Sequence, residues 1–163
     1  MSEPLKLDRI DRRILELLQD DGSLSNLELA DKVGLSPSPC SRRVKALQDA
    51  GILAKTIAVL DAEKLGLDLM ALVSIGFDKH TPERFQQFES LISTYPEVQS
   101  CYLITGHSAD YMLKVIVADM NAYQTFLLDK LLTIEGVSSL HSSFVMRKVV
   151  DGMHLPLQSV SSN

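Results

Sequence analysis

The sequence predicts an α+β fold in two parts: three short helices over residues 1–51 and a ferredoxin-like β-α-β-β-α-β sheet over 67–152, joined by a hinge strand and linker at 52–66 and trailed by a tail at 153–163. Three observations predict it. Apolar residues at helical spacing, bracketed by cap signals, fill the first fifty positions. Beyond them, strand-like alternation and helix-like stretches take turns, and the same order recurs at a shift of about 40 residues. Charge divides the same way: nine basic and nine acidic residues balance over the first sixty, so the whole net charge of −5 lies in the remainder.

The first helix follows from Asp8 as cap and from Ile10, Ile14, Leu17 and Leu18 on one face, with Asp20, Asp21 and Gly22 closing it. Ser25 and Glu28 form a capping box for the second, and Leu24 and Leu29 occupy the two positions of a hydrophobic staple. That helix turns Leu29, Ala30 and Val33 inward and stops at Gly34. The third begins in Ser36-Pro37-Ser38-Pro39. Ser38 as cap with Pro39 at the first helical position is the simplest reading, and Ser36 with Pro37 is the alternative. On a helical wheel Cys40, Val44 and Leu47 share a narrow core stripe, Ser38, Arg42 and Lys45 point away from it, and Arg43 lies on the flank. Asp49 is spaced to pair with Lys45. Gly51 ends the helix, and Ile52 to Leu60 is β-rich enough for a strand.

Between Asp31 and Asp49 there is no acid, while Lys32, Arg42, Arg43 and Lys45 bring four positive charges. A solvated helical face would carry such charge with no partner. The capping box, the proline-set start and the acid-free basic segment together favour a helix-turn-helix whose third helix meets base edges and phosphates of double-stranded DNA.

In the second part Ala71, Val73, Ile75 and Phe77 alternate with Leu72, Ser74, Gly76 and Asp78, a strand with one apolar face. Thr81 and Pro82 open a helix with Phe85, Phe88, Ile92 and Tyr95 inward, and Val98 to Thr105 is the next strand. Tyr111 to Val117 is a third. Asp119 caps a helix carrying Tyr123, Phe126, Leu127 and Leu131, and Val137 to Val149 is a fourth strand. Two helices cover one sheet face. The other, assigned Leu72, Cys101, Leu103, Met112 and Ile116, is too apolar to stay wet, which predicts a homodimer with two sheets packed face to face. The tail MHLPLQSVSSN has no periodicity and is expected to fray or to trade contacts between subunits.

The balance of 45% hydrophobic and 23% charged residues excludes wholesale disorder, collagen and disulfide miniproteins. No window reaches the ~18 apolar residues of a membrane span, and MSEPLKLDRIDRR lacks a signal-peptide core, so a cytoplasmic chain with no membrane partner is expected. Cys40 and Cys101 stand far apart with no CxxC pattern and are expected to be small core residues. His80, His107, His141 and His154 have no metal-ligand spacing, and no catalytic or nucleotide-loop motif occurs. Neither a metal, a cofactor nor an enzymatic activity is expected. Ser142 and Ser143 beside His141 read as surface hydroxyls rather than a nucleophile. Thr105 to Tyr111 is the loop that invites a ligand: turn amides at Gly106 for a carboxylate and Asp110 for an ammonium, the polar demands of an amino acid. An ordinary hairpin turn with a surface aspartate satisfies the same spacing.

The segments LDRIDRRILELLQDDGSLSNLELADKVGLSPSPCSRRVKALQDAGIL, TGHSADYMLKV, ADMNAYQTF and EGVSSLHSSFVM, in this order and spacing, resemble the Lrp/AsnC, or feast/famine, transcriptional regulators over nearly the full length. The resemblance implies a winged helix-turn-helix, a hinge strand and a C-terminal sandwich that dimerises and assembles, often to octamers, around small effectors that are commonly amino acids. Carried over by residue, DNA contact falls on Ser36, Ser38, Ser41, Arg42, Arg43 and Lys45. Arg43 sits where the family typically has arginine, and its flank position suits holding the domain together or gripping phosphate. The effector loop falls on Gly106, His107, Ser108, Ala109 and Asp110, with Leu103, Met120 and Phe144 or Val145 as apolar walls. Against the leucine-responsive member, TGHSADY is one residue longer between glycine and aspartate, a departure that bears on ligand choice. These walls favour an apolar amino acid such as leucine or methionine. The alternatives are an effector-independent nucleoid-organising protein and an amino-acid-binding regulatory subunit of an enzyme.

Overall fold

The computed structural model describes residues 6–106 and 109–159. They form two compact units, one of residues up to Val59 together with those from Val150 onward, the other spanning Leu60–Val149.

In the first unit, α1 (Arg9–Asp20) starts at Asp8, whose carboxylate accepts the Ile10 and Asp11 N–H groups, both at 2.8 Å, while the Asp11 carboxylate reaches back to the Asp8 N–H at 3.1 Å. Two of the helix's orphan donors are satisfied in this way, and the Asp8 amide is held as well. A second capping box, Ser25 with Glu28, starts α2 (Asn26–Val33). Gly34 ends it at φ +70°, where a side chain would be strained, and the Leu35 N–H closes on the Ala30 carbonyl at 2.9 Å. The third helix, α3, spans Pro37–Asp49 with Ser36 at its cap, an earlier start than Ser38-Pro39. Proline is tolerated at both positions because the first-turn N–H groups have no intrahelical acceptor, and the Asn26 side chain fixes the earlier start by donating to the Pro37 carbonyl at 2.9 Å. Ile14, Leu15, Leu17, Leu29, Ala30, Cys40 and Leu47 form the shared core, with Leu24 and Val44 packed against it.

One expectation fails in this unit. Residues 52–60 form no strand: the segment has no regular secondary structure, no strand among the described residues pairs with it, and Ile57, Val59 and Leu60 are exposed. β-rich composition does not make a strand without a ladder partner. The tail, expected to fray or to trade contacts between subunits, packs on its own chain over residues 153–159. Gln19 holds the Leu155 backbone, and Leu157 packs against the helical core.

The second unit is a four-stranded antiparallel sheet in the order β2-β3-β1-β4, with β1 Leu69–Phe77, β2 Val98–Leu103, β3 Tyr111–Val117 and β4 Val137–Phe144. Its helices are α4 (Pro82–Ile92), capped by Thr81, and α5 (Met120–Phe126), capped by Asp119 and continued by a π turn over Leu127–Leu131. Ala71, Val73, Ile75 and Phe77 of β1 and the alternate β3 residues Tyr111, Leu113, Val115 and Val117 pack with Phe88, Ile92, Tyr123, Phe126 and Leu131 in one core. β4 stops at Phe144 rather than Val149: the Val145 N–H takes the Met70 carbonyl, and beyond it β1 has only Leu69 left to pair with.

The open sheet face is composed differently from the expectation. A register shift between Val98 and Ser100 aligns Cys101 with Leu113 and Leu103 with Tyr111, which puts both on the helix side, and sets Tyr102 opposite Met112. The open face therefore carries Met70, Leu72, Tyr102, Met112 and Ile116, interspersed with Ser74, Lys114, His141 and Ser143. A β-bulge reverses which side chains face which way, and alternation alone cannot locate it.

Candidate functional site

The outer surface of α3 brings together most of the residues expected to meet DNA. Ser36, Ser38, Ser41, Arg42 and Lys45 are exposed or half-buried, opposite the buried Cys40 and Leu47. Among the described residues Lys45 forms no ion pair with Asp49, so its ammonium and the Arg42 guanidinium face solvent unopposed. Arg43 is placed otherwise. Its Nη1 lies 2.7 Å from Asp8 Oδ2 and 2.7 Å from Asp11 Oδ1, bridging both carboxylates of the α1 capping box. The Asp11 N–H, and after it Arg43, hold the Asp8 carboxyl below the usual range, and the two aspartates raise Arg43 in turn. The bridge ties the third helix to the start of the first. With the Asn26 bond to Pro37, it fixes the helix that presents the polar and basic face. Sequence spacing did not single out Asn26. It stands one residue past a recognised cap, and its side-chain bond spans 11 residues.

The residues expected around an effector fall into two groups at opposite ends of the sheet. Leu103, Gly106, Ala109 and Asp110 lie where β3 begins, since Leu103 pairs with Tyr111 and the Asp110 N–H donates to the Ile75 carbonyl at 2.8 Å. Phe144 pairs with Ala71, Val145 bonds to Met70, and Met120 opens α5 just after β3 ends. The groups sit on the two opposite edge strands, and the Phe144–Ala71–Val115 level lies four residues, about 13 Å at 3.3 Å per residue, from the Leu103–Tyr111 level. His107 and Ser108 lie outside the described residues. Asp110 already has protein partners: Oδ2 accepts the Phe77 N–H at 2.8 Å and Oδ1 lies 2.9 Å from His80 Nε2. His80, which the sequence marked only as a non-ligand, thus helps to hold the loop.

A cleft of about 340 Å³ runs along β2 beside α4, lined by Glu89, Ile92, Val98, Cys101, Leu103 and Tyr111. The Tyr111 hydroxyl donates to Glu89 Oε1 at 2.7 Å. Burial, with Glu89 adding to it, pushes the Cys101 thiol up to about 11, so it stays protonated and unreactive near neutrality. In the second group Phe144 packs edge-on against Tyr123, whose hydroxyl bonds to Ser142. Ser142 and His141 face opposite sides of β4, so the serine-histidine pairing set aside from sequence has no geometry either. Among the described residues no group of three or more His, Cys, Asp and Glu side chains could hold a metal ion, and no helix is long and apolar enough to cross a membrane.

Residues 7–54 match the family model described as Winged helix-turn-helix DNA-binding, and residues 70–155 match the Lrp/AsnC ligand binding domain. The chain is 39% identical over 156 residues to Transcriptional regulator AzlB of Bacillus subtilis, covering 96% of this chain and 99% of that one. It is 43% identical over 145 residues to the Bkd operon transcriptional regulator of Pseudomonas aeruginosa, covering 89% and 94%. Among solved structures, transcriptional regulator NMB0573 of Neisseria meningitidis, in complex with L-Met, superposes with a TM-score of 0.89 at 42% identity, covering 93% of this chain and 97% of that one.

Proposed function

Because this chain belongs to the Lrp/AsnC family of DNA-binding transcriptional regulators, with a winged helix-turn-helix and a ligand-binding domain, we propose that it reads operator DNA through α3 and answers to an apolar amino acid, methionine or leucine. The observation that carries the DNA assignment is the outer face of α3: its serines, Arg42 and Lys45, with no acid among the described residues opposing the two cations. In this reading Ser38, Ser41, Arg42 and Lys45 contact the groove and its phosphates, and Ser36 stands at its edge. Arg43, bound to Asp8 and Asp11, serves the interface by orienting α3.

The effector assignment draws on the relative that binds L-Met and on the apolar walls Leu103, Met120 and Phe144 or Val145. Since these walls lie at opposite ends of one sheet, a site using both needs a second copy of the chain. A homodimer through the open face, assembling further to an octamer with effector between dimers, supplies it. Effector binding then changes assembly or the placement of the recognition helices, and so DNA affinity, with a coupling of order 1 to 3 kcal/mol. The protein acts in the cytoplasm and has no catalytic role of its own.

The test uses duplexes selected from a random pool by the protein itself. Replacing Arg42 and Lys45 together by alanine is expected to weaken binding at least tenfold. The slope of log affinity against log salt should become shallower by about one for each phosphate no longer neutralised, while the thermal shift given by methionine persists. Unchanged DNA binding would place the interface elsewhere. DNA binding indifferent to all twenty amino acids would favour a nucleoid organiser, and amino-acid binding without DNA binding a regulatory subunit.

A further inference from the structure

We propose that residues 150–159 form a strap through which the ligand-binding domain regulates the DNA-reading unit, so that effector acts on DNA affinity by changing how the strap holds α1. The inference rests on the regulator reading above and names the route of its regulation.

The strap belongs to the first unit although the chain reaches it only after β4. Across 136 residues of chain, Gln19 brackets the Leu155 backbone: its Oε1 accepts the Leu155 N–H at 2.7 Å, and its Nε2 donates to the Leu155 carbonyl at 3.4 Å. A side-chain amide here does what a neighbouring strand would do. His154 Nε2 sits 2.7 Å from the Gln19 carbonyl and 3.7 Å from Asp20 Oδ1. The last carbonyls of a helix have no intrahelical donor, and α1 has no basic residue in its last turn, so His154 supplies from afar the cap that the helix lacks. Leu157 packs against the core of Ile14, Leu17, Leu29 and Leu47.

Two properties suit this contact to switching. Its hydrogen bonds with Gln19 are exposed and its leucine is only partly buried, so the attachment opens locally at low cost. It is also continuous with the candidate ligand site. Phe144 and Val145 end the β4 ladder, and the chain runs from them through exposed Met146, Val149 and Val150 to His154. A ligand that packs on Phe144 or Val145 therefore acts on the root of the strap, while Gln19 and Leu157 hold its far end.

The experiment measures operator affinity with and without L-methionine in the full chain, alongside hydrogen exchange of the peptides covering α1 and residues 150–159. For the wild type, methionine is expected to change operator Kd severalfold and to change exchange at the Leu155 amide in step. Gln19→Ala combined with Leu157→Ser should bring the ratio of the two Kd values to within twofold of one, with the methionine thermal shift retained. A second variant, six glycine and serine residues inserted between Gly152 and Met153, leaves every docking group in place and only slackens the strap. It too should lower the ratio, which guards against a folding defect in the first. Variants that keep the wild-type ratio would overturn the inference alone. A wild type whose operator affinity ignores every amino acid would overturn the regulator reading and this inference with it.

Discussion

At the scale of single residues, Arg43 separates holding an interface from touching it. Its position on the flank of the wheel was legible in sequence, but its partners were not, because Asp8 and Asp11 come from a helix 35 and 32 residues away. Asp8 caps α1 and takes Arg43 besides, so Asp8→Ala is expected to lower stability at pH 7 by about 1 kcal/mol, the usual cost of losing a cap. The folded-state pKa of Asp8 is depressed, so this contribution is present above the unfolded carboxyl range and disappears as the pH falls through the lowered value. Urea titrations of both proteins should show a full difference near neutrality that narrows below about pH 4. A difference independent of pH would mean that the charge contributes nothing. Asp110 teaches the same lesson in the ligand loop: the residue type was legible, but its bonds to Phe77 and His80 depend on how β1 ends.

At the scale of elements, the features read correctly are those whose cause is local. The capping box at Ser25 and Glu28, the stop at Gly34 and the caps Thr81 and Asp119 each involve residues within one turn. Gly34→Ala, at φ +70° with no crowding around it, should cost about 1 kcal/mol through backbone strain alone, readable as a fall of several degrees in Tm for the first unit. No change in Tm would show that the turn relaxes to another conformation. The features that sequence missed or left open have distant causes. The choice of Ser36-Pro37 over Ser38-Pro39 to start α3 depends on Asn26, the facing of Cys101 and Leu103 on a bulge, the end of β4 on where β1 begins, and the strand expected at 52–60 on a partner that one chain does not supply.

At the scale of the whole molecule, the two-part plan and the duplicated sheet were legible in sequence because each repeats a period. That the candidate effector walls sit at both ends of one sheet was not, since it follows from strand order. The open face retains the prediction of self-association. Leu72 is 38% exposed there, beside Met70, Met112 and Ile116. Sedimentation at micromolar concentration should find a dimer or larger. Ile116→Asp, which would set a carboxylate beside Met70 in an apolar contact at a cost of several kcal/mol, should move the equilibrium strongly toward monomer. A wild-type monomer, or a variant that assembles as before, would discard this face.

Because residues 6–59 and 150–159 share one unit, the sheet unit of residues 60–149 is by topology an insert, with two seams rather than one. Sensor grafting must respect both. A chimaera that replaces only residues 60–149 keeps Leu157 in the helical core, whereas one that exchanges everything after Val59 strips the head of part of its own packing and of the cap on α1. Failure to bind DNA in the second kind of fusion would then report an incomplete head and not an incompatible sensor.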